Sequence, residues 1–245
     1  MSKVVVIIPA RYASVRFPGK LLSLIKGKEV IIHVIERIVN SKVSEIIVAT
    51  DNQNIKELVE KEELCRVIMT RSDHPCGTDR IAEVAGQIDA DYILNVQGDQ
   101  LITGPDMIND IIRNISNNLE ISTLYTKINS HSDLNNKNVV KVVVNCNGDI
   151  IYMSRSPIPF NRGQIDNGIN YNKQVGIYLF NKNALINFSK LESSELEKIE
   201  GIELLRAIEY GMHLRGIRSD FPTLDINVPS DIAKAEKFIL DFPVR

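Results

Sequence analysis

The stretch from Val4 to Lys20, VVVIIPARYASVRFPGK, constrains the fold of this 245-residue chain more than any other. The β-branched run Val4 to Ile8, ended by Pro9, predicts a short strand buried on both faces. Behind it come Arg11, Arg16 and Lys20, separated by the small or loop-permissive Ala10, Ala13, Ser14, Pro18 and Gly19. Ligands of open α/β sheets bind at the carboxyl ends of the strands, so a cationic loop there suits a polyanion. Arg takes phosphate oxygens bidentately, and Lys supplies a compact charge. A solvated basic loop is the plainer account of such cations; the small residues and the proline favour phosphate. The loop is neither a Walker loop nor a Gly-x-Gly-x-x-Gly turn, which excludes a dehydrogenase of the usual kind.

The remaining pattern extends the α/β reading. Val30–Val39 predicts an apolar-striped helix ending near Asn40, with His33 as a core residue. Glu45–Ala49 predicts a second buried strand and Arg66–Met69 a third, short one, with Thr50-Asp51 a cap for the polar helix between them. Alternation of strand and helix implies right-handed crossovers and a mainly parallel sheet. Gly77-Thr78 then opens a helix: Thr78 is a candidate cap, and Gly77 leaves room for a planar base. Asp91–Val96 is the next strand, followed at once by Gln97-Gly98-Asp99-Gln100. Gly-Asp is a common turn pair, but beside a phosphate loop Asp99 can also reach a divalent cation.

The second half changes character. Val139–Val144 and Ile150–Met153 around Gly148-Asp149 predict an antiparallel hairpin added to the sheet. Residues 154–171 are irregular and suit a substrate lid or a dimerisation arm. Gln174–Phe180 is a strand, Asn181–Ser189 and Glu195–Tyr210 are helices, and Gly211 closes the second. His213–Ile217 is a last short strand, and Thr223–Asp231 leads into a C-terminal helix, where Asp225 reads as a helix-entry residue. The length allows one large α/β domain or two small ones. A net charge of -2 carries no footprint of nucleic-acid binding. No signal peptide and no run of membrane-spanning length is visible, so the expectation is a cytoplasmic protein without membrane or nucleic-acid partners. The three cysteines and four histidines are scattered, which argues against a disulfide framework or zinc cluster.

IIPARYASVRFPGK, CGTDR, NVQGD, VKVV, YMSRSPIPF, VGIYLF, LLRAIEYG and LDINVPSDI together resemble, in order, the 3-deoxy-manno-octulosonate (KDO) cytidylyltransferases. The resemblance spans essentially the whole chain. It implies a single-domain nucleotidyltransferase α/β sandwich over residues 1–245, with a mainly parallel sheet, a small antiparallel extension and a projecting arm at about 150–175 that pairs a homodimer. The implied reaction joins CTP and a 3-deoxy-2-keto sugar acid into a CMP-sugar plus pyrophosphate, for lipopolysaccharide or capsule synthesis.

By the same resemblance, Arg11, Arg16 and Lys20 hold the triphosphate, with Arg16 and Lys20 catalytic. Pro9, Ala10, Gly77, Thr78 and Gln97 cradle cytosine and ribose. Asp99 and Asp225 ligate Mg²⁺ and must therefore converge from distant segments. Arg80, Arg155, Gln174, Tyr178, Glu203 and Leu204 fall at sugar-acid positions. The family usually reads RHLGIY and EQLR where this chain has Gln174 and Leu204, and Ser where it has Cys76. An apolar Leu204 leaves a sugar hydroxyl unpaired, at a cost of about 1–3 kcal/mol. These departures raise the expectation of a modified acceptor, such as an amino-substituted KDO. Other readings are a sialic-acid-like cytidylyltransferase, disfavoured by Tyr12 and VRFPGK, and a non-catalytic nucleotide-binding regulator, disfavoured by Lys20, Asp99 and Asp225 together.

Overall fold

A computed structural model describes residues 2–13, 17–116, 118–162 and 171–244. The first half runs β1 (Val4–Ala10), a hairpin of β2 (Leu24–Ile25) and β3 (Lys28–Glu29), α1 (Val30–Glu36), β4 (Glu45–Thr50), α2 (Gln53–Lys61), β5 (Arg66–Met69), α3 (Gly77–Ala85), β6 (Tyr92–Val96), β7 (Gln100–Ile102) and α4 (Pro105–Arg113). The second half runs β8 (Ile121–Lys127), α5 (His131–Asn135), β9 (Lys141–Val144), β10 (Ile150–Ser154), β11 (Asn172–Asn181), α6 (Lys182–Phe188), α7 (Glu195–Glu200), α8 (Leu204–Glu209), β12 (Leu214–Arg218), β13 (Thr223–Asp225) and α9 (Asp231–Asp241).

β1 lies inside a nine-stranded sheet, parallel to β4 on one side and β6 on the other. Its run of apolar residues serves both faces. Val4, Val6 and Ile8 point into a core with α1, Met107, Ile108 and Ile111 of α4, and Ala235 and Phe238 of α9. Val5 and Ile7 point the other way, onto Ile81 and Val84 of α3, Leu185 and Phe188 of α6, and Leu205 of α8. Helices on both faces are why a parallel strand reads as continuously apolar rather than alternating. Each such side chain, fully buried, contributes about 1.5–3 kcal/mol. His33 is buried as expected, with Nε2 2.9 Å from the Ile25 carbonyl.

β11 turns the parallel half into a mixed sheet. It runs antiparallel to β6 through Ile177–Asn181 and to β9 through Asn172 and Lys173, with β8 along its other edge. The changeover falls at a bulge between Val175 and Tyr178. The Thr123 hydroxyl lies 3.1 Å and 2.9 Å from the carbonyls of Val175 and Ile177, satisfying the backbone that the bulge releases. β9 and β10 form the expected antiparallel hairpin.

Several local expectations are corrected. β1 does not end at Pro9 but runs to Ala10, because pairing with β6 has stopped at Ile7 and the missing N–H is tolerated. α1 stops at Glu36, short of Val39. Asn52, rather than Thr50-Asp51, caps α2 by accepting from the Ile55 N–H. Cys76, rather than Thr78, caps α3. The helix expected over Glu195–Tyr210 is two, α7 and α8, because Gly201 takes a left-handed φ of 60° and ends the first. Of the segment 150–175, the ends are sheet strands β10 and β11, and residues 163–170 lie outside the described residues. Among the described residues no helix is long and apolar enough to cross a membrane.

Candidate active site

The loops at the carboxyl ends of β1, β5 and β6 enclose a cavity of about 240 Å³. Pro9, Arg11, Lys20, Gly77 and Gln97 line it, as the sequence led us to expect. Glycine makes the packing possible. A Cβ on Gly98 would lie 3.2 Å from the Pro9 carbonyl oxygen and 3.3 Å from the side chains of Leu21 and Ile31. A Cβ on Gly77 would lie 3.2 Å from the Pro9 ring and 3.4 Å from Gln97 Oε1. Three loops thus meet at contact distance around Pro9, leaving a narrow slot of the kind a planar base needs.

Not every expected residue is there. Ala10 is fully buried in the core and Thr78 is turned away, its hydroxyl donating to Glu203 Oε2 at 2.6 Å. Arg16 lies outside the described residues. Arg80, assigned from sequence to the sugar acid, lines this cavity instead, held by Asp51 at 2.8 Å and by Thr70. Leu21, His74 and Gly98 are wall residues that the sequence reading did not single out. His74 is bonded through Nε2 to Glu83 of α3, a pairing across nine positions that no local spacing rule announces.

A second, more open cavity of about 640 Å³ adjoins the first, and both contain Gln97 and Asp99. Arg155, Tyr178 and Asp225 line it, together with Gln100, Lys137 and Asn227. The predicted convergence of Asp99 and Asp225 is present. β13 pairs antiparallel with β7, setting Asp225 opposite Gln100, and the Ile226 N–H donates to the Asp99 carbonyl at 3.0 Å. Asp225 is therefore a strand residue at the site, not a helix-entry residue; Asp231 takes that part, accepting from the Asn227 and Val228 N–H groups.

The electrostatics are divided. Asp99 is ion-paired with Lys20. Asp225 keeps an open face toward the cavity, but crowding by the surrounding protein, and then the Asp99 charge, push its carboxyl up to about 6. The Gln100 amide, donating to Asp225 Oδ1 at 2.9 Å, opposes that rise. Tyr178 has its hydroxyl pushed up by burial and by the nearby charges of Glu203 and Asp225, so it stays a neutral donor.

The remaining acceptor residues are corrected or refined. Leu204, the first residue of α8, is 1% exposed and packs in the core, so its apolar character meets a packing requirement and it lines neither cavity. Glu203 is held by Cys76 at 2.9 Å and by Thr78, and burial pushes its carboxyl above the usual range despite those bonds. It ties the α3 loop to α8 and does not line the larger cavity. Gln174 lies on β11 just before the bulge, and its side chain reaches the Tyr178 hydroxyl, opposing the rise that burial causes there. Arg155 donates to the carbonyls of Glu200, Lys137 and Gly201 at 2.6, 2.8 and 2.9 Å.

A family model described as Cytidylyltransferase matches residues 5–215. The 3-deoxy-manno-octulosonate cytidylyltransferase of Pelobacter propionicus is 41% identical over 244 residues, covering 94% of this chain and 95% of that protein. The one of Geobacter metallireducens is 39% identical over 254 residues, covering 99% and 100%. A solved structure of a CMP:2-keto-3-deoxy-manno-octonic acid synthetase complexed with CTP matches with a TM-score of 0.92 at 36% identity, over 98% of this chain and 99% of that one. An inositol-1-phosphate CTP transferase from T. maritima shares the fold, with a TM-score of 0.70 at 17% identity over 99% and 97%.

Proposed function

The chain belongs to the 3-deoxy-manno-octulosonate cytidylyltransferase family, and from that premise we propose that it joins CTP to KDO or a close sugar-acid relative, releasing pyrophosphate. The observation that carries this reading is the junction of the two cavities at Asp99. The smaller one has the glycine-lined slot and the cations Arg11 and Lys20 that a nucleoside triphosphate needs. The larger one has Arg155, Lys137 and Tyr178, which suit an acidic polyol. A transfer between substrates placed on either side relies on positioning and charge neutralisation rather than covalent help. In this reading Lys20 neutralises the leaving pyrophosphate and Arg11 holds a phosphate oxygen.

We assign Asp99 and Asp225 to a Mg²⁺ ion. The donor set fits: two neighbouring carboxylates, one of them lifted first by desolvation and then by the charge of the other, suit a cation, and Mg²⁺ takes one or two carboxylates plus phosphate oxygens. Among the described residues no group of three or more His, Cys, Asp or Glu is placed to hold a metal, so substrate oxygens and water would complete the shell. When bound, the ion would neutralise charge at the α-phosphate and lower the pKa of the attacking hydroxyl.

Correcting Leu204 removes one of the two reasons to expect a modified acceptor, and unsubstituted KDO is the first substrate to test. CTP is an intracellular metabolite, which places the reaction in the cytoplasm, where it would supply lipopolysaccharide or capsule synthesis. We also propose a homodimer through the segment around Phe160, which is 87% exposed; large apolar side chains left in water mark contact surfaces. Sedimentation of Phe160→Ser as a monomer beside a wild-type dimer would bear this out; two dimers would count against it.

The direct test of the reaction is pyrophosphate release from CTP with Mg²⁺, using KDO and a panel of related sugar acids. Turnover with KDO is expected. Turnover with a different acid alone would move the substrate and keep the chemistry. CTP binding without turnover on any acid would refute the enzyme and leave a nucleotide-binding regulator.

A further inference from the structure

Lys141 opens β9 and is fully buried, with Ser154 opposite it on β10 and Lys173 opposite it on β11. Among the described residues no carboxylate is ion-paired with its ammonium. Nζ instead donates to three backbone carbonyls: Asn136 at 3.1 Å, Val139 at 2.7 Å, and Arg155. Asn136 and Val139 bracket Lys137 and Asn138, which line the larger cavity, and Arg155 lines it too. One buried cation therefore gathers both chain segments that form this wall.

The segments are also joined to each other. The Arg155 guanidinium donates to Lys137, and its remaining partners are the carbonyls of Glu200 and Gly201 at the end of α7. The Glu200 carboxylate accepts from the Ser154 hydroxyl at 2.6 Å and the Arg155 N–H at 2.9 Å. These bonds orient the guanidinium and leave some of its N–H groups for a ligand. An ammonium is the side-chain end that can serve three inward-facing carbonyls at once. Without it the Val139 and Arg155 carbonyls lose this donor, the Asn136 carbonyl keeps only the bond from the Val139 N–H, and the wall loosens. The charge balance has a consequence as well. Lys141 and Arg155 outweigh Glu200, so the wall is positive where an acid would arrive.

We propose that Lys141 is a positioning residue for the acceptor's carboxylate, setting Arg155 and the Lys137–Asn138 segment in the geometry that receives the acid. The proposal rests on the reading of the larger cavity as the sugar-acid site.

The test is steady-state kinetics of Lys141→Met, with CTP and KDO varied separately, alongside amide hydrogen exchange over residues 136–139 and 155–157. The expected result is a KM for the sugar acid raised about tenfold or more, with the KM for CTP and kcat within about twofold. Exchange in both segments is faster, and Lys141→Arg recovers part of the loss. Adding Lys141→Met to Arg155→Met then makes acceptor binding little worse than Arg155→Met alone. Equal rises in both KM values, full additivity of the pair, or faster exchange with unchanged acceptor KM would each overturn the role. Should Lys141→Met not fold, Glu200→Gln loosens the same wall from its other side, and the same acceptor-selective change is required of it. Wild-type protein inert with every sugar acid would overturn the reaction and this role with it; active wild type beside an unchanged Lys141→Met would overturn the role alone.

Discussion

The side-chain nitrogen of Gln100 donates to Asp225 Oδ1 at 2.9 Å, tying the residue next to Asp99 to the second carboxylate of the site. That bond and the β7–β13 pairing beneath it hold two acidic groups together against their repulsion. Asp99→Asn and Asp225→Asn are each expected to lower kcat by about 100-fold or more, and Gln100→Leu by about tenfold, since each removes part of a preorganised charge arrangement. CTP binding measured calorimetrically without Mg²⁺ should change little in the Gln100 variant. Wild-type turnover in Asp225→Asn would remove that carboxylate from the mechanism.

Gly98 is packed from three sides, with Pro9, Leu21 and Ile31 all 3.2 to 3.3 Å from where a Cβ would stand. Gly98→Ala must push the Asp99 loop off β1, and overpacking of this kind costs about 1–3 kcal/mol. Urea unfolding should show that loss, and kcat should fall with it because Asp99 and its ion pair with Lys20 move. A stable Gly98→Ala enzyme with full kcat would mean that the loop has slack the packing does not suggest.

Leu204 tests whether a departure from the family's usual wording is functional. Being 1% exposed among apolar neighbours, it has no evident polar partner, so Leu204→Gln should destabilise the protein by about 1–3 kcal/mol. The KM for KDO should not improve. A stable Leu204→Gln enzyme with a markedly lower KM would return this position to the acceptor site.

Asp231 links stability to pH. Burial raises its carboxyl, but the bonds from Lys234 and from the Asn227 and Val228 N–H groups outweigh that and leave it below the ordinary value. A folded pKa below the unfolded one means that the unfolded chain binds the proton first as pH falls. The stabilisation is therefore complete above about pH 4, the unfolded value, and is lost as pH drops through the folded pKa. Asp231→Asn should melt lower than wild type at pH 7, by a gap worth about 1–2 kcal/mol that closes on acidification below pH 4. A gap independent of pH would show that the carboxylate's charge is not what holds the Asn227–Val228 turn.

How much of this protein was legible before folding follows from the range of the forces involved. The run Val4 to Ile8, the alternation of strand and helix, and the cations at Arg11 and Lys20 are local patterns, and local patterns announce buried parallel strands and a cationic loop at their carboxyl ends. Family wording located Asp99 and Asp225. Their convergence could be required from chemistry, but it is produced by the pairing of β7 with β13, which joins segments far apart in the chain. Cap identities and the break at Gly201 were missed because competing side chains and a left-handed glycine are chosen by what packs around them.

Sequence pattern alone was thus enough for the layered α/β class and for several of the residues that line the two cavities. Folding was needed to place Leu204 in the core, to put Arg80 on the wall of the smaller cavity, and to bury Lys141 against three backbone carbonyls. The physical reason is that a motif specifies which group is present, whereas its burial and partners depend on contacts between residues far apart in sequence. Those contacts exist only once β11 has brought the two halves of the sheet together.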